Sequence, residues 1–250
     1  MSDFANRIAL VTGGGSGIGA AVSLLLAARG ATVIVADINF AAAEKTVTTL
    51  RGVGAKAAAL EVDTTRPEDS RRAVQHAIDI YGGLDHAVNN AGIGGNLEVT
   101  VADGDLENWR RTIDVNLNGV FYGLHYQLAH MTKRGRGSVV NLASILGVRG
   151  QEKSAAYVAS KHGVVGLTKT AALEAAKQSV RVNAVCPGYI DTPMLATAPA
   201  DVRKSLGNLH PIGRLGKPEE VAELIVFLLS DHASLITGSC HLVDGGFAAR

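Results

Sequence analysis

The sequence predicts an α/β protein whose parallel sheet is doubly wound, with helices on both faces. Three observations predict it. Short β-branched runs alternate with longer Ala- and Leu-rich stretches along the whole chain. The first run leads directly into a glycine cluster and then into a helical stretch, an order suited to holding a phosphate at a helix start. No linker composition and no internal repeat interrupts the alternation, so the 250 residues are read as one domain, 1–250, with about seven strands.

The elements follow in order. RIALVT (7–12) reads as a strand, and GIGAAVSLLLAARG (17–30) as the helix after it, closed by Gly30. TVIVAD (32–37) is a second strand, followed by a helix from Phe40 to about Leu50. AKAAALEVD (55–63) is a weaker third strand. The stretch after it starts a helix with Pro67 and two acids, both start signals. LDHAVNNAG (84–92) is a fourth strand running into a turn. One long helical region spans Trp109 to Lys133, before GSVVNLAS (137–144) as the fifth strand. The helix holding Tyr157 precedes VRVNAVCPG (180–188), a sixth strand stopped by Pro187-Gly188. A less regular segment covers about 189–215, long enough to be functional. KPEEVAELIVFLLSD (217–231) is a helix, and CHLVDGG (240–246) a short last strand.

Composition narrows the function classes. Hydrophobic residues make up 47% and charged residues 19%, which supports a sizeable core. The net charge of +1 gives no electrostatic reason to expect nucleic acid or an anionic membrane as partner. No apolar run is long enough to span a bilayer, and the N-terminus has no signal-peptide h-region before its glycines. The 8 histidines form no metal-ligand spacing. The 2 cysteines, Cys186 and Cys240, are read as reduced thiols, consistent with a cytoplasmic protein.

TGGGSGIG (12–19) lies between the first strand and the first helix. Gly13, Gly17 and Gly19 let main-chain N–H groups, with those of Ser16 and Ile18, turn toward one point at the positive helix end. The spacing is G-x-x-x-G-x-G, not G-x-G-x-x-G. Asp37 ends the second strand, where a carboxylate can accept hydrogen bonds from both hydroxyls of an adenosine ribose. A 2′-phosphate would meet its charge, and Ser16, Ile38 and Asn39 offer no compensating base. The expected cofactor is therefore NAD. Asp63 ends the third strand and can meet the adenine edge. Asn89, Asn90 and Gly92 end the fourth, placed to line the cofactor or to fix the loop.

Tyr157 and Lys161 stand one helical turn apart, so they share a face. Free tyrosine has a pKa of about 10. A neighbouring ammonium and the positive ring of an oxidised nicotinamide both favour phenolate, which would fit Tyr157 to act as a general acid or base. Lys161 would also reach the nicotinamide ribose.

Taken in order, TGGGSGIG, Asp37, NNAG, Ser144, Tyr157-x-x-x-Lys161 and Pro187-Gly188 resemble the short-chain dehydrogenase/reductase family, over essentially Arg7 to Phe247. The resemblance implies a Rossmann-type fold and an NAD(H)-dependent exchange between a secondary alcohol and a ketone. It implies Ser144, Tyr157, Lys161 and Asn116 as the catalytic set. Ser144 would hold the substrate oxygen, and Asn116 would support a water-linked proton relay from the lysine. It implies that Pro187, Gly188, Ile190 and Thr192 contact the nicotinamide end, and that the segment with Met194 and Leu195 acts as a lid. It also implies a homotetramer.

The candidate substrate pocket, with Ile145, Leu146, Gln151, Tyr189, Met194 and Leu195 beside Ser144 and Tyr157, is mostly apolar. It carries no arginine pair to grip an anion, so an uncharged, hydrophobic secondary alcohol or ketone, cyclic ones included, is expected. Two rival readings remain at this stage. One is an NADPH-dependent 3-oxoacyl thioester reductase, against which Ser16 and Asp37 argue. The other is a dinucleotide-sensing protein without catalysis, against which the retained Tyr157 and Lys161 argue.

Overall fold

The computed structural model describes residues 3–196 and 198–249. Met1, Ser2, Arg250 and Thr197, the last inside the expected lid, lie outside the described residues. The chain folds in the order β1 (Ile8–Thr12), α1 (Gly17–Ala28), β2 (Thr32–Asp37), α2 (Phe40–Gly52), β3 (Ala57–Glu61), α3 (Pro67–Tyr81) and β4 (His86–Asn89). It continues with α4 (Leu106–Ile113), α5 (Gly119–Arg134), β5 (Gly137–Leu142), α6 (Ala155–Ala175) and β6 (Val180–Pro187). It closes with α7 (Pro193–Ala196), α8 (Ala200–Asn208), α9 (Pro218–Leu229) and β7 (Cys240–Val243).

All the strands of the 7-stranded sheet run parallel, in the order β3-β2-β1-β4-β5-β6-β7. Side chains alternate between its faces. From β1, Ala9 and Val11 pack with α1, α2 and α9, whereas Ile8 and Leu10 pack with α3, α5 and α6. Every residue of β1 is buried, which is why the strand reads as a continuous apolar run. Pro67 with Glu68 and Asp69, and Pro218 with Glu219 and Glu220, start α3 and α9 as their sequences predict. No helix of the described residues is long and apolar enough to cross a membrane.

β1 pairs with β2 on one side and β4 on the other. The chain winds outward to β3 and returns, so the connections after β1 and β4 part and leave a crevice above their carboxyl ends. A buried amide ladder braces this point. Asn89 and Gln127 exchange hydrogen bonds of 3.0 and 2.8 Å, Asn89 also donates to Asn141 at 2.9 Å, and Asn141 donates to Thr168 at 2.9 Å. These bonds tie β4, β5, α5 and α6 in one register.

The helical region expected around Trp109 to Lys133 is present but not uniform: two helices, α4 and α5, are joined by a π-helical turn over Asp114–Asn118. Asn116 explains the widening. Its buried carboxamide accepts from Ile93 N at 2.8 Å and donates to Ile93 O at 2.9 Å, so an extra residue is drawn inward there. The segment 189–215 is less irregular than expected, since it holds α7 and α8.

Candidate active site

A cavity of about 970 Å³ opens at the crevice, and its wall includes Gly13, Ser16, Gly17, Ile18, Asp37, Asp63, Asn90 and Gly92. The turn after β1 has little tolerance for side chains. Gly13 and Gly17 have φ of 61° and 52°, and a Cβ on Gly19 would stand 2.2 Å from the Gly13 carbonyl oxygen. Gly19 is thus not at the wall but beneath Gly13, letting α1 approach. The turn is held from across the crevice. Asn90 Nδ2 donates to the carbonyls of Thr12 and Gly13 at 2.9 and 3.1 Å, and Thr12 Oγ1 accepts from the N–H groups of Asn90 and Ala91. Asn90 therefore serves the turn itself.

Ser16 precedes α1 without capping it through its side chain, so the first-turn N–H groups face the cavity. Asp37 accepts from Gly15 N and Asn39 N, each at 2.9 Å, and its partly exposed carboxylate keeps lone pairs for a ligand. Asp63 accepts from Thr65 N and Oγ1 at 2.9 and 2.7 Å, shaping the adjoining turn. A cradle that only glycine fits, an uncapped helix start and a strand-end carboxylate together suit a dinucleotide.

The other half of the wall includes Ser144, Leu146, Gln151, Tyr157, Lys161, Pro187, Gly188, Ile190, Thr192, Met194 and Leu195. Ser144 and Tyr157, 13 positions apart in sequence, meet here because β5 ends and α6 begins at the crevice. Ser144 follows β5 and caps a short turn, its Oγ accepting from Leu146 N at 3.1 Å. Lys161 is buried on α6, with Nζ 5.6 Å from the centroid of the Tyr157 ring and donating to Leu142 O at 2.8 Å. Burial brings the Lys161 pKa down to about 8.

Tyr157 behaves differently from the sequence expectation. Burial pushes its phenol above the usual tyrosine value, the hydrogen bond to Ser144 draws it back, and the Tyr189 phenol pushes it up again. Lys161 spends its ammonium on a carbonyl and the ring face, so in the free protein desolvation wins and Tyr157 is a protonated acid.

Asn116, like Gly19, is absent from the wall. It stands behind it, 3.2 Å from where a Cβ of Gly92 would be, with Lys161 Nζ 3.6 Å from the same point. Its Nδ2 also reaches Ser160 Oγ at 3.3 Å, and that hydroxyl donates to Tyr157 O at 2.7 Å. Asn118 instead pairs with Asp114 at 2.8 Å.

Residues 13–248 match a family model described as enoyl-(acyl carrier protein) reductase. The structure superposes on a short-chain type dehydrogenase/reductase from Mycobacterium marinum with a TM-score of 0.94, at 35% identity, covering 99% of this chain and 98% of that one. The chain belongs to the short-chain dehydrogenase/reductase family. Among curated relatives, the cyclohexanol dehydrogenase of Acinetobacter sp. (strain SE19) is 50% identical over 247 residues, 99% of this chain and 97% of that protein. The cis-4-hydroxycyclohexanecarboxylate dehydrogenase of Sinomonas cyclohexanicum is 45% identical over 246 residues, 98% of each chain.

Several supports of this short-chain dehydrogenase/reductase site are silent in the sequence. Thr12 and Ser160 are two. His210 is a third: it is 2% exposed, its Nε2 accepts from Tyr189 N at 3.0 Å, and its Nδ1 pairs with Arg214 O at 2.7 Å. The second contact assigns the proton to Nδ1, which leaves Nε2 as the acceptor. Tyr189 OH donates to Gln151 Oε1 at 3.0 Å, and the Tyr189, His210 and Phe247 rings cluster with centroids 5.8 to 6.0 Å apart. His210 thus joins the end of the 189–215 segment to the strand-end loop Pro187–Tyr189. Trp109, on α4, is 42% exposed.

Proposed function

We propose that the protein is an NAD(H)-dependent dehydrogenase that interconverts a neutral ring-borne secondary alcohol and its ketone. The observation that carries this reading is convergence. Ser144, Tyr157 and Lys161 share one cavity with the glycine cradle, whose adenosine end presents Asp37 and no basic side chain among Ser16, Ile38 and Asn39. Names of relatives that act on cyclohexanol and on 4-hydroxycyclohexanecarboxylate support a six-membered ring as substrate.

Gly13, Ser16, Gly17 and Ile18 would take the pyrophosphate, and Asp37 the adenosine ribose, with Asp63 at the adenine. Pro187, Gly188, Ile190 and Thr192 would flank the nicotinamide. A nicotinamide bound there would supply the hydride chemistry, accepting hydride from the carbinol carbon or donating it to the carbonyl carbon, and its oxidised form would add a positive charge favouring phenolate. Ser144 holds the substrate oxygen toward Tyr157. Tyr157, kept protonated by burial, donates its proton to a ketone oxygen, and takes one from an alcohol in the reverse sense. Lys161 offers a buried ammonium whose pKa of about 8 is near neutrality, suited to resupplying the phenol. Asn116 fixes the Gly92–Ile93 main chain beside that ammonium. Leu146, Gln151, Met194 and Leu195 would enclose the ring, with 189–215 as the lid. Thr192 already lies against the glycine turn, its Cγ2 3.2 Å from where a Gly17 Cβ would be.

A cytoplasmic location and a homotetramer belong to the same reading. The free thiols of Cys186 and Cys240 support the first, and the exposed Leu106, Trp109 and Phe121 support the second. Titration with NADH and NADPH, followed by rates on cyclohexanol, cyclohexanone and anionic analogues, tests the reading. Tighter NADH binding and a preference for the neutral ring pair are expected. Tighter NADPH binding would reverse the cofactor assignment, and a preference for anionic substrates the pocket assignment.

A further inference from the structure

The chain leaves the sheet after β6 and returns at β7, and between them lie α7, α8 and α9. Each end of this excursion carries a cysteine. Cys186 is buried near the end of β6, and Cys240 opens β7 and is partly exposed. The strands are neighbours, with Ala184 opposite Cys240 and Cys186 opposite Leu242. The side chains turn to the same face, and the sulfurs stand 2.7 Å apart although 54 positions separate them in sequence. No role in hydride or proton transfer falls to either.

We propose that Cys186 and Cys240 form a reversible disulfide on exposure to peroxide, making them an oxidation site that staples both ends of the lid-bearing excursion. A disulfide needs its sulfurs about 2.05 Å apart, so closure moves them by less than about 1 Å. The roles of the two are unequal. The hydrogen bond from Cys186, aided by the Lys169 ammonium, lowers the pKa of Cys240. The same pairing, then burial, holds the Cys186 thiol protonated. Cys240, the partly exposed residue of the pair, is the nucleophile and Cys186 the resolving thiol.

In the first step the Cys240 thiolate attacks a peroxide oxygen, the O–O bond breaks, and hydroxide leaves a sulfenic acid on Cys240. In the second the Cys186 sulfur attacks the Cys240 sulfur, the S–O bond breaks, and the hydroxyl leaves with the Cys186 proton as water. The proton lost from Cys240 at the outset neutralises the first hydroxide. Two thiols lose two electrons, and hydrogen peroxide is reduced to two waters.

The test treats the purified full chain with hydrogen peroxide, alkylates the remaining thiols under denaturing conditions and measures intact mass and thermal midpoint. The expected result is loss of both alkylation sites, a mass lower by about 2 Da before alkylation, and a midpoint higher by about 5 °C or more. Dithiothreitol should reverse all three. Cys240→Ala should show no rise, and Cys186→Ala should leave a sulfenic acid on Cys240 that dimedone captures. Two alkylatable thiols after oxidation would overturn the proposal. So would a sulfinic acid on Cys240 with Cys186 free, or a cross-link between chains.

Discussion

The side of the crevice above β1 and β2 is walled by main chain, whereas the side above β5 and β6 is walled by side chains gathered from distant elements. On the first, Gly13 and Gly19 are held by contacts to other backbone atoms and by the Asn90 amide. On the second, Tyr157, Lys161 and Tyr189 take their positions from Leu142, Ser160, Gln151 and His210. The difference is also one of stress. The first side is satisfied, with its polar atoms paired or free to meet a ligand. The second buries an ammonium that meets no carboxylate among the described residues and raises a phenol, so it holds its chemistry against its own stability.

Four substitutions test whether the two sides are separable. The largest effect is expected at Tyr157. Tyr157→Phe should lower kcat by about 10³-fold, while the NADH dissociation constant, followed by fluorescence, stays within about threefold. A loss of cofactor binding in that variant would break the division. Gly19→Ala should do the reverse. Its methyl would meet the Gly13 carbonyl, and main chain yields at a cost, so NADH binding should weaken about 100-fold with a destabilisation of about 2–3 kcal/mol in urea unfolding.

Lys161→Met sharpens the contrast because activity and stability move oppositely. The folded pKa of about 8 lies below the usual lysine value. The buried charge therefore costs stability below pH 8, and the cost is relieved as pH rises from about 8 toward 10.5. At pH 7 the variant should be inactive yet up to about 3 kcal/mol more stable. That gain should shrink through the same pH window. A thermal midpoint that falls at pH 7 would sink the account of a strained side.

The smallest effect is expected at His210. His210→Leu leaves the buried Tyr189 N–H without its acceptor, a cost of about 1–3 kcal/mol. KM for the alcohol should rise several-fold with a smaller change in kcat, since the residue sets the wall and not the proton transfer. Equal losses in both constants would instead assign His210 to the reaction itself.

The first side was the more legible in sequence. Glycine at fixed spacing after a strand has few other physical meanings, and strand-end acids announce themselves. The motif residues of the second side were legible too, and their meeting in one cavity agrees with their order along the chain. Their supports were not. His210 reaches Tyr189 across 21 positions, and Arg149 donates to Phe247 O across 98, with no local period to betray either contact. The direction of the Tyr157 shift was missed for a related reason: charge can be counted in a sequence, but desolvation depends on what folds over the group. The break in the long helix was likewise invisible, since Asn116 alone does not reveal that Ile93 will bind both ends of its amide.

That break has a consequence for how such chains can diverge. Each residue advances a helix by about 100°, so the surplus one at Asp114–Asn118 swivels everything upstream of it. Deleting any single position there would straighten the rod, but it would also unplug Asn116 from Ile93 and spin Trp109 to another bearing. Substitutions along this stretch can accumulate while its length stays fixed, because arithmetic, more than chemistry, aims the amide.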